Sequence, residues 1–252
     1  MPAESMPIKL PEHFRLIAHR GASAYAPENT MAAFELAWDL GAREFETDVQ
    51  LTTDGVVVLC HDSTLARYGH GTLAPEQMAW DQLAGLDMGS WFASGFAGER
   101  LVRLEELLAR FGADVVYHLE LKGDAEELPD WTAALVRAAG LEQRCFVTSF
   151  SERQLAASLR VAPELLRGWL VSSVDQQVLT RAVALEVHQL CIPASLADEA
   201  TVRLARRVAR EVRAWGLGSD PELAAYLLVR VLEAGCDGVT TDWPDWPVAE
   251  RR

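Results

Sequence analysis

A (β/α)8 barrel is the fold this sequence predicts, with a small insertion after the second strand position. Three observations carry the prediction. Short β-rich runs alternate with longer helical patterns along the chain, the signature of βαβ units and a parallel sheet. Counting one hairpin as a single position leaves eight strand positions, the number that closes such a barrel. The chain has 252 residues, half of them hydrophobic, which is enough for one large core. A doubly wound open sheet is the alternative, but it usually carries a glycine-rich phosphate loop, and none is present.

The spacing predicts strands at 14–18, 43–51, 56–60, 114–121, 144–149, 166–171, 187–192, 211–217 and 237–241. Helices are predicted at 29–40, 103–112, 125–139, 151–161, 175–184, 197–210 and 221–234. The first strand is an apolar run, Phe14 to Ala18, that breaks into His19 and Arg20. Pro27-Glu28-Asn29-Thr30 then opens a helix, with Asn29 or Thr30 as its cap and a further role for Asn29 left open. Asp54-Gly55 is a tight-turn signal that joins the strands at 43–51 and 56–60 into the hairpin. Residues 62–100, including "LDMGSWFASGFAGER", are weakly periodic, and so long an excursion is usually a lid or small subdomain. The end, "TDWPDWPVAERR", is too broken by proline to supply a full final helix. A single domain over 1–252 with 62–100 inserted in it is therefore expected.

Composition narrows the function. No stretch reaches the roughly 18 apolar residues of a membrane span. The start, "MPAESMPIKLPEH", lacks the apolar core of a signal peptide. The four cysteines (Cys60, Cys145, Cys191, Cys236) stand alone beside apolar runs, with no CxxC pair, and read as buried reduced thiols. A soluble cytoplasmic protein is the expectation. A net charge of −14 should repel nucleic acid and anionic membranes, though a pocket can have the opposite local sign.

The polar residues are informative by position. His19 and Arg20, His61, Glu120 and Lys122, Ser149, and Asp242 all fall at C-terminal ends of predicted strands, where barrels of this kind build active sites. Glu46 and Asp48 lie two apart within a strand, so both point to one face. If that face is the interior, two carboxylates there repel unless protonated or shared with a cation. With Glu120 they make a hard-cation site, whose oxygen-only ligands favour Mg²⁺ or Ca²⁺ over zinc. If the face is solvent, Lys122 is simply a salt-bridge partner. His19 and His61 are either hydrogen-bonded structural residues or a pair suited to acid–base work near neutral pH. Arg20 and Lys122 suit clamps on an anionic group. Asp62 reads as the start of a turn. Phe150 and Trp215, both at strand ends, are candidates to line the pocket.

This constellation resembles the glycerophosphodiester phosphodiesterase family. The resemblance rests on "HRG" (19–21), "PENT" (27–30), "ETDV" (46–49), "HD" (61–62) with "TLAR" (64–67), "LDMGSWF" (86–92), "ELK" (120–122) and "TDWP" (241–244), in that order. It implies a (β/α)8 barrel that hydrolyses glycerophosphodiesters to glycerol 3-phosphate and an alcohol. His19 and His61 would be the catalytic pair. Glu46, Asp48 and Glu120 would hold one divalent cation, Mg or Ca, and Arg20 and Lys122 would bind phosphate. The implied partner is a small-molecule glycerophosphodiester, with no nucleic acid and no stable membrane association.

The sequence departs from the family pattern in places. His118 stands where the family often has Asn, on the strand face of Glu120, and is expected to hold Glu120 or a pocket water. Gly216-Leu217-Gly218 replaces a polar stretch after Trp215, and Val102-Arg103 replaces the usual Pro-Thr. Trp91 and Phe92 either wall the pocket or pack the insertion. Three other readings remain: a lysophospholipid-cleaving phospholipase D with a greasy groove built by the insertion, a catalytically silent binding barrel, and a metal-dependent aldolase or enolase-like barrel.

Overall fold

The computed structural model of the chain describes residues 10–246. Residues 1–9, most of the start in which no signal-peptide core is expected, and 247–252, the last part of the proline-broken end, lie outside the described residues.

Among the described residues, nine strands form one sheet. They are β1 (Arg15–His19), β2 (Glu44–Leu51), β3 (Val57–Leu59), β4 (Val116–Leu121), β5 (Cys145–Ser149), β6 (Leu166–Leu170), β7 (Gln189–Pro193), β8 (Glu211–Trp215) and β9 (Gly238–Thr241). Neighbours run β1-β9-β8-β7-β6-β5-β4-β2-β3, and an added β1–β2 pairing closes the ring. All pairings are parallel except β2–β3. The result is the eight-stranded parallel barrel, with β3 as the hairpin partner of β2. Thr52 and Asp54 build that hairpin's turn: the Thr52 hydroxyl donates to Asp54 at 2.6 Å and accepts the Val56 N–H at 2.9 Å. Gly55 supplies the positive φ of 84° there.

The helices α1 (Met31–Asp39), α2 (Trp80–Leu83), α3 (Leu104–Phe111), α4 (Leu128–Ala139), α5 (Glu152–Val161), α6 (Gln176–Ala184), α7 (Glu199–Ala205) and α8 (Pro221–Glu233) follow the predicted order, with α2 added inside the insertion. Side-chain caps start several of them: Thr30, Ser151, Asp175, Asp198 and Asp220 each accept a backbone N–H of the first turn. Several boundaries differ from the sequence expectation by a few residues, and three of the shifts have a visible cause. The helix expected at 197–210 is only Glu199–Ala205, because Arg207 and Val208 donate three residues back, to Leu204 and Ala205, and tighten the chain into a turn. The strand expected at 211–217 stops at Trp215, where Gly216 turns with φ 78°. The helix expected from 125 begins at Leu128, with Pro129 in its first turn.

Apolar helix faces cover the barrel in two large clusters, and a third cluster lies under the insertion: Val58, Cys60, Leu65, Tyr68, Leu83, Met88 and Leu101. All four cysteines are free and buried, as expected. Among the described residues, no helix is long and apolar enough to cross a membrane. The insertion's second half is tied by Asp87, which accepts from the Gly89 and Ser90 N–H at 2.9 Å, the Ser90 hydroxyl at 2.8 Å and the Gly98 N–H at 3.0 Å. Those donors hold its carboxyl well below the usual range. A group depressed on folding stabilises above its unfolded pKa, and that contribution is lost as pH falls through the folded value. In a carbon-13 NMR titration Asp87 should therefore titrate below ordinary aspartates. Asp87→Ala should raise amide exchange at Gly89, Ser90 and Gly98 selectively.

Candidate active site

Strand register brings the candidate side chains to one end of the barrel. His19 on β1 is level with Glu46 on β2, and Asp48 on β2 is level with Glu120 on β4. The chain turns sharply after β1: Arg20 has φ 56° and Gly21 φ 85°. A Cβ on Gly21 would stand 2.5 Å from the Ala33 backbone, so the glycine of "HRG" lets the loop press against α1. Thr30, and not Asn29, caps α1. Asn29 is buried and donates from Nδ2 to Asp48 at 3.1 Å while accepting the Thr47 hydroxyl at 2.8 Å, which fixes the loop to β2.

Glu46, Asp48 and Glu120 are all buried, facing the interior, and each offers an oxygen within 4.8 Å of the others. The solvent-facing alternative is thereby excluded. Arg20 Nε lies 3.0 Å from Asp48, and Lys122 Nζ 3.1 Å from Glu120 and 4.0 Å from Asp48. Burial and the charge of Asp48 push Glu46 up to about 7 and raise Glu120 as well. Burial also works against an ionised Asp48, but Arg20, His61 and Lys122 hold it below the usual carboxylate range. Three carboxylates at this spacing are short of positive charge. Glu46 Oε2 and Asp48 Oδ1 are buried with no hydrogen-bond partner among the described residues. Unpaired anionic oxygens of this kind, with no sulfur or ring nitrogen in the set, fit a hard divalent cation.

Each histidine is oriented by its own carboxylate. His19 Nδ1 lies 2.5 Å from Asp242, and its Nε2 is 3.9 Å from Glu46. Burial and Arg20 favour the neutral ring, yet Asp242 and Glu46 raise the His19 pKa above its ordinary value. His61 Nδ1 lies 2.6 Å from Asp62, and burial lowers its pKa. Asp62 is thus more than the start of a turn. It also takes Arg67 Nε at 2.9 Å, Arg67 reaches Glu28 at 2.6 Å, and Glu28 accepts Arg20 Nη1 at 2.9 Å. This charged chain joins the insertion to the carboxylate cluster. Asp242, Asp62, Glu28 and Arg67 therefore position the site. The signal available in the sequence was their adjacency: Asp62 follows His61, Glu28 precedes Asn29, and Asp242 ends a strand.

A cavity of 430 Å³ opens over this cluster, lined by His19, Arg20, Glu46, His61, Glu120 and Lys122 on one side and by Phe150, Leu170, Arg213, Trp215 and Gly216–Ser219 on the other. Phe150 and Trp215 meet edge to face at 5.0 Å, and Lys122 Nζ sits 5.6 Å from the Phe150 ring. A second cavity of 450 Å³ shares His61 and Lys122 and is lined from the insertion by Asp62, Ser63, Thr64 and Glu76. Trp91 and Phe92 line neither. Trp91 donates to the Met88 carbonyl at 2.8 Å and packs on Tyr68 and Phe92, so these rings pack the insertion.

The expectation for His118 is corrected. It stands two strand residues below Glu120, roughly 7 Å deeper in the barrel, which is one pleat too low to reach it. Its Nε2 pairs with Glu44 at 2.9 Å, its ring stacks on Phe146 at 4.9 Å, and burial lowers its pKa to about 4. His118→Ala should therefore cost stability, about 1–3 kcal/mol, through the cavity left by a fully buried ring and the hydrogen bond lost to partly buried Glu44. Cation affinity, measured by calorimetry on the same protein, should not change.

Comparison with known proteins agrees with this geometry. The profile of the Glycerophosphoryl diester phosphodiesterase family matches residues 19–246. A glycerophosphodiester phosphodiesterase of Caldanaerobacter subterraneus subsp. tengcongensis is 31% identical over 91% of this chain and 94% of the relative. Among solved structures, an Oleispira antarctica phosphodiesterase in complex with the product sn-glycerol-3-phosphate superposes with TM-score 0.77 at 31% identity, covering 92% of this chain and 94% of that one. A glycerophosphodiester phosphodiesterase from Agrobacterium tumefaciens superposes with TM-score 0.78 at 28% identity, covering 92% and 97%.

Proposed function

The chain belongs to the glycerophosphoryl diester phosphodiesterase family, and from that premise we propose that it hydrolyses glycerophosphodiesters to glycerol 3-phosphate and an alcohol, dependent on one divalent cation, Mg²⁺ or Ca²⁺. The observation that carries the reading is the meeting, at one cavity, of three buried carboxylates, two of them with an oxygen that lacks a hydrogen-bond partner among the described residues, and two histidines, each held by an acid of its own. Glu46, Asp48 and Glu120 would hold the cation. Bound there, it would offset charge on the phosphate oxygens and acidify a coordinated hydroxyl.

The protein groups do the rest. A phosphodiester anion repels an oxygen nucleophile, so the cations Arg20 and Lys122 draw the phosphate in and stabilise the charge that grows on its non-bridging oxygens. His19 and His61 act as the acid–base pair. With Nδ1 of each ring on a carboxylate, Nε2 is the nitrogen left to move a proton. One ring takes the proton of the attacking hydroxyl, and the other gives one to the departing alkoxide. The substrate brings its own nucleophile, the glycerol hydroxyl beside the ester carbon. An internal group can reach effective concentrations of about 10⁵ M or more. Attack by it forms a cyclic glycerol phosphate, which water opens as the two histidines exchange roles. A substrate with that hydroxyl methylated should be nearly inert, and hydrolysis at the parent rate would show direct attack by water.

The lysophospholipid reading requires a greasy groove built by residues 62–100, and the apolar rings of that segment face its own packing. With the net charge of −14, this favours a small dissolved substrate in the cytoplasm over a lipid surface or nucleic acid. The test is release of glycerol 3-phosphate from glycerophosphocholine, glycerophosphoethanolamine and glycerophosphoglycerol in the presence of Mg²⁺ or Ca²⁺. Release from at least one is expected. No release from any of them would overturn the assignment.

A further inference from the structure

Arg213 is a buried cation that nothing in the catalytic cluster uses. It lies in the middle of β8, is 2% exposed, and lines the main cavity. Its Nε and Nη1 have no hydrogen-bond partner among the described residues. Glu211, two residues earlier on the strand, is already engaged by Arg15 and Gln189. Level with Arg213 stand only Cys191, whose thiol touches the guanidinium, and Gly238, and neither carries a charge to offset it. In the ring order β8 is opposite β4, where the buried His118, one pleat below Glu120, feels the Arg213 charge, so Arg213 stands at the floor of the cavity beneath Glu120 and Lys122. A guanidinium held out of water with free N–H groups is costly to the fold, and an anion restores what is missing. Its planar fork matches a carboxylate or a phosphate.

On the reading that the phosphodiester binds at Arg20, Lys122 and the histidines, a substituent directed into the cavity meets the β8 wall. We propose that Arg213 is a specificity-determining residue that recognises a second anionic group, phosphate or carboxylate, on the diester substrate. The chain would then prefer acidic glycerophosphodiesters over neutral or cationic ones of the same size. Thr240, whose buried hydroxyl is also unpartnered and lines the same cavity, offers a further donor to that anion.

Three substrates separate the charge from the shape: glycerophosphoglycerol, its terminal phosphate ester, and the analogue with the terminal carbon oxidised to a carboxylate. The ratio of kcat/KM for each acidic compound to that for glycerophosphoglycerol is measured for the parent, Arg213→Met and Arg213→Lys. The parent should favour an acidic compound by roughly tenfold or more, the size of a charge-assisted hydrogen bond. Arg213→Met should abolish that ratio while keeping the rate on glycerophosphoglycerol, and Arg213→Lys should keep part of it. Whichever acidic compound is favoured identifies the group recognised. Equal ratios in parent and Arg213→Met would overturn the proposal while leaving the phosphodiesterase reading intact. So would a uniform loss on all three substrates. Calorimetric binding of the three compounds to a His61→Ala background reads the same preference without turnover, so the proposal is tested even if none is cleaved. Arg213→Met should melt no lower than the parent, since it removes an unpaired buried charge; a large drop would assign Arg213 to the fold.

Discussion

The His61→Ala protein is expected to fold as the parent does and to hydrolyse glycerophosphodiesters slower by a factor of roughly 10² or more, the usual size of an acid–base contribution. His19→Ala should lose a similar factor. Both rings border the cavity, and both are tied through Nδ1, to Asp62 at 2.6 Å and to Asp242 at 2.5 Å. Removing either one leaves the phosphate clamp of Arg20 and Lys122 in place, so kcat should fall far more than KM rises. Groups that act as a unit are not additive, and the double variant should be little worse than the slower single one. A 4-nitrophenyl ester tells the two apart, because its leaving group needs no proton. The variant that lacks the acid of the first step should recover most of its rate on that ester, and the variant that lacks the base should not. Equal rates for the parent and both alanine variants on a glycerophosphodiester would remove the histidines from the chemistry.

Asp48→Ala should abolish the thermal stabilisation that Mg²⁺ or Ca²⁺ gives the parent. A ligand that binds only the folded state adds about 2.7 kcal/mol at a hundred times its Kd. That increment should vanish in the variant. The cost without metal is a separate quantity, with opposing parts. Losing Asp48 relieves repulsion with Glu46 and Glu120 but strands Arg20 Nε, 3.0 Å away, and the Asn29 amide at 3.1 Å. The metal-free variant should therefore melt close to or somewhat below the metal-free parent, as read by calorimetric scans with chelator. A calcium-dependent rise in melting temperature as large as the parent's would place the cation elsewhere.

The barrel and the carboxylate cluster were legible because both follow from period-two geometry. Alternation of strands and helices predicts the ring, and the parity of Glu46 with Asp48 puts both carboxylates on the interior face. The strand-end placement of His19, Glu120 and Lys122 predicts one rim, and the structure brings them to one cavity. His61 follows β3 in a bend instead of ending a barrel strand, yet the hairpin carries it to the same place. What the pattern did not reveal depends on depth and on contacts distant in sequence. His118 shares the face of Glu120 but lies one pleat lower, and parity alone does not measure height. Asp242 meets His19 across 223 residues, and Arg67 meets Glu28 across 39. Arg213 has the parity of Trp215 and so the same inward direction, but an arginine within an apolar strand carries no mark of being unpaired. The short α7 reflects a turn set by backbone hydrogen bonds at 207 and 208, which side-chain periodicity does not encode.

The most direct test of the account is the rate of glycerol 3-phosphate release from a glycerophosphodiester by protein stripped of metal and then titrated with Mg²⁺ or Ca²⁺. Glu46, Asp48 and Glu120 present only oxygen ligands, and two of their buried oxygens lack a hydrogen-bond partner among the described residues. The account predicts negligible release from the stripped protein and recovery that saturates at one cation per chain, with no recovery in Asp48→Ala. Full activity in protein shown by elemental analysis to be free of metal would contradict it.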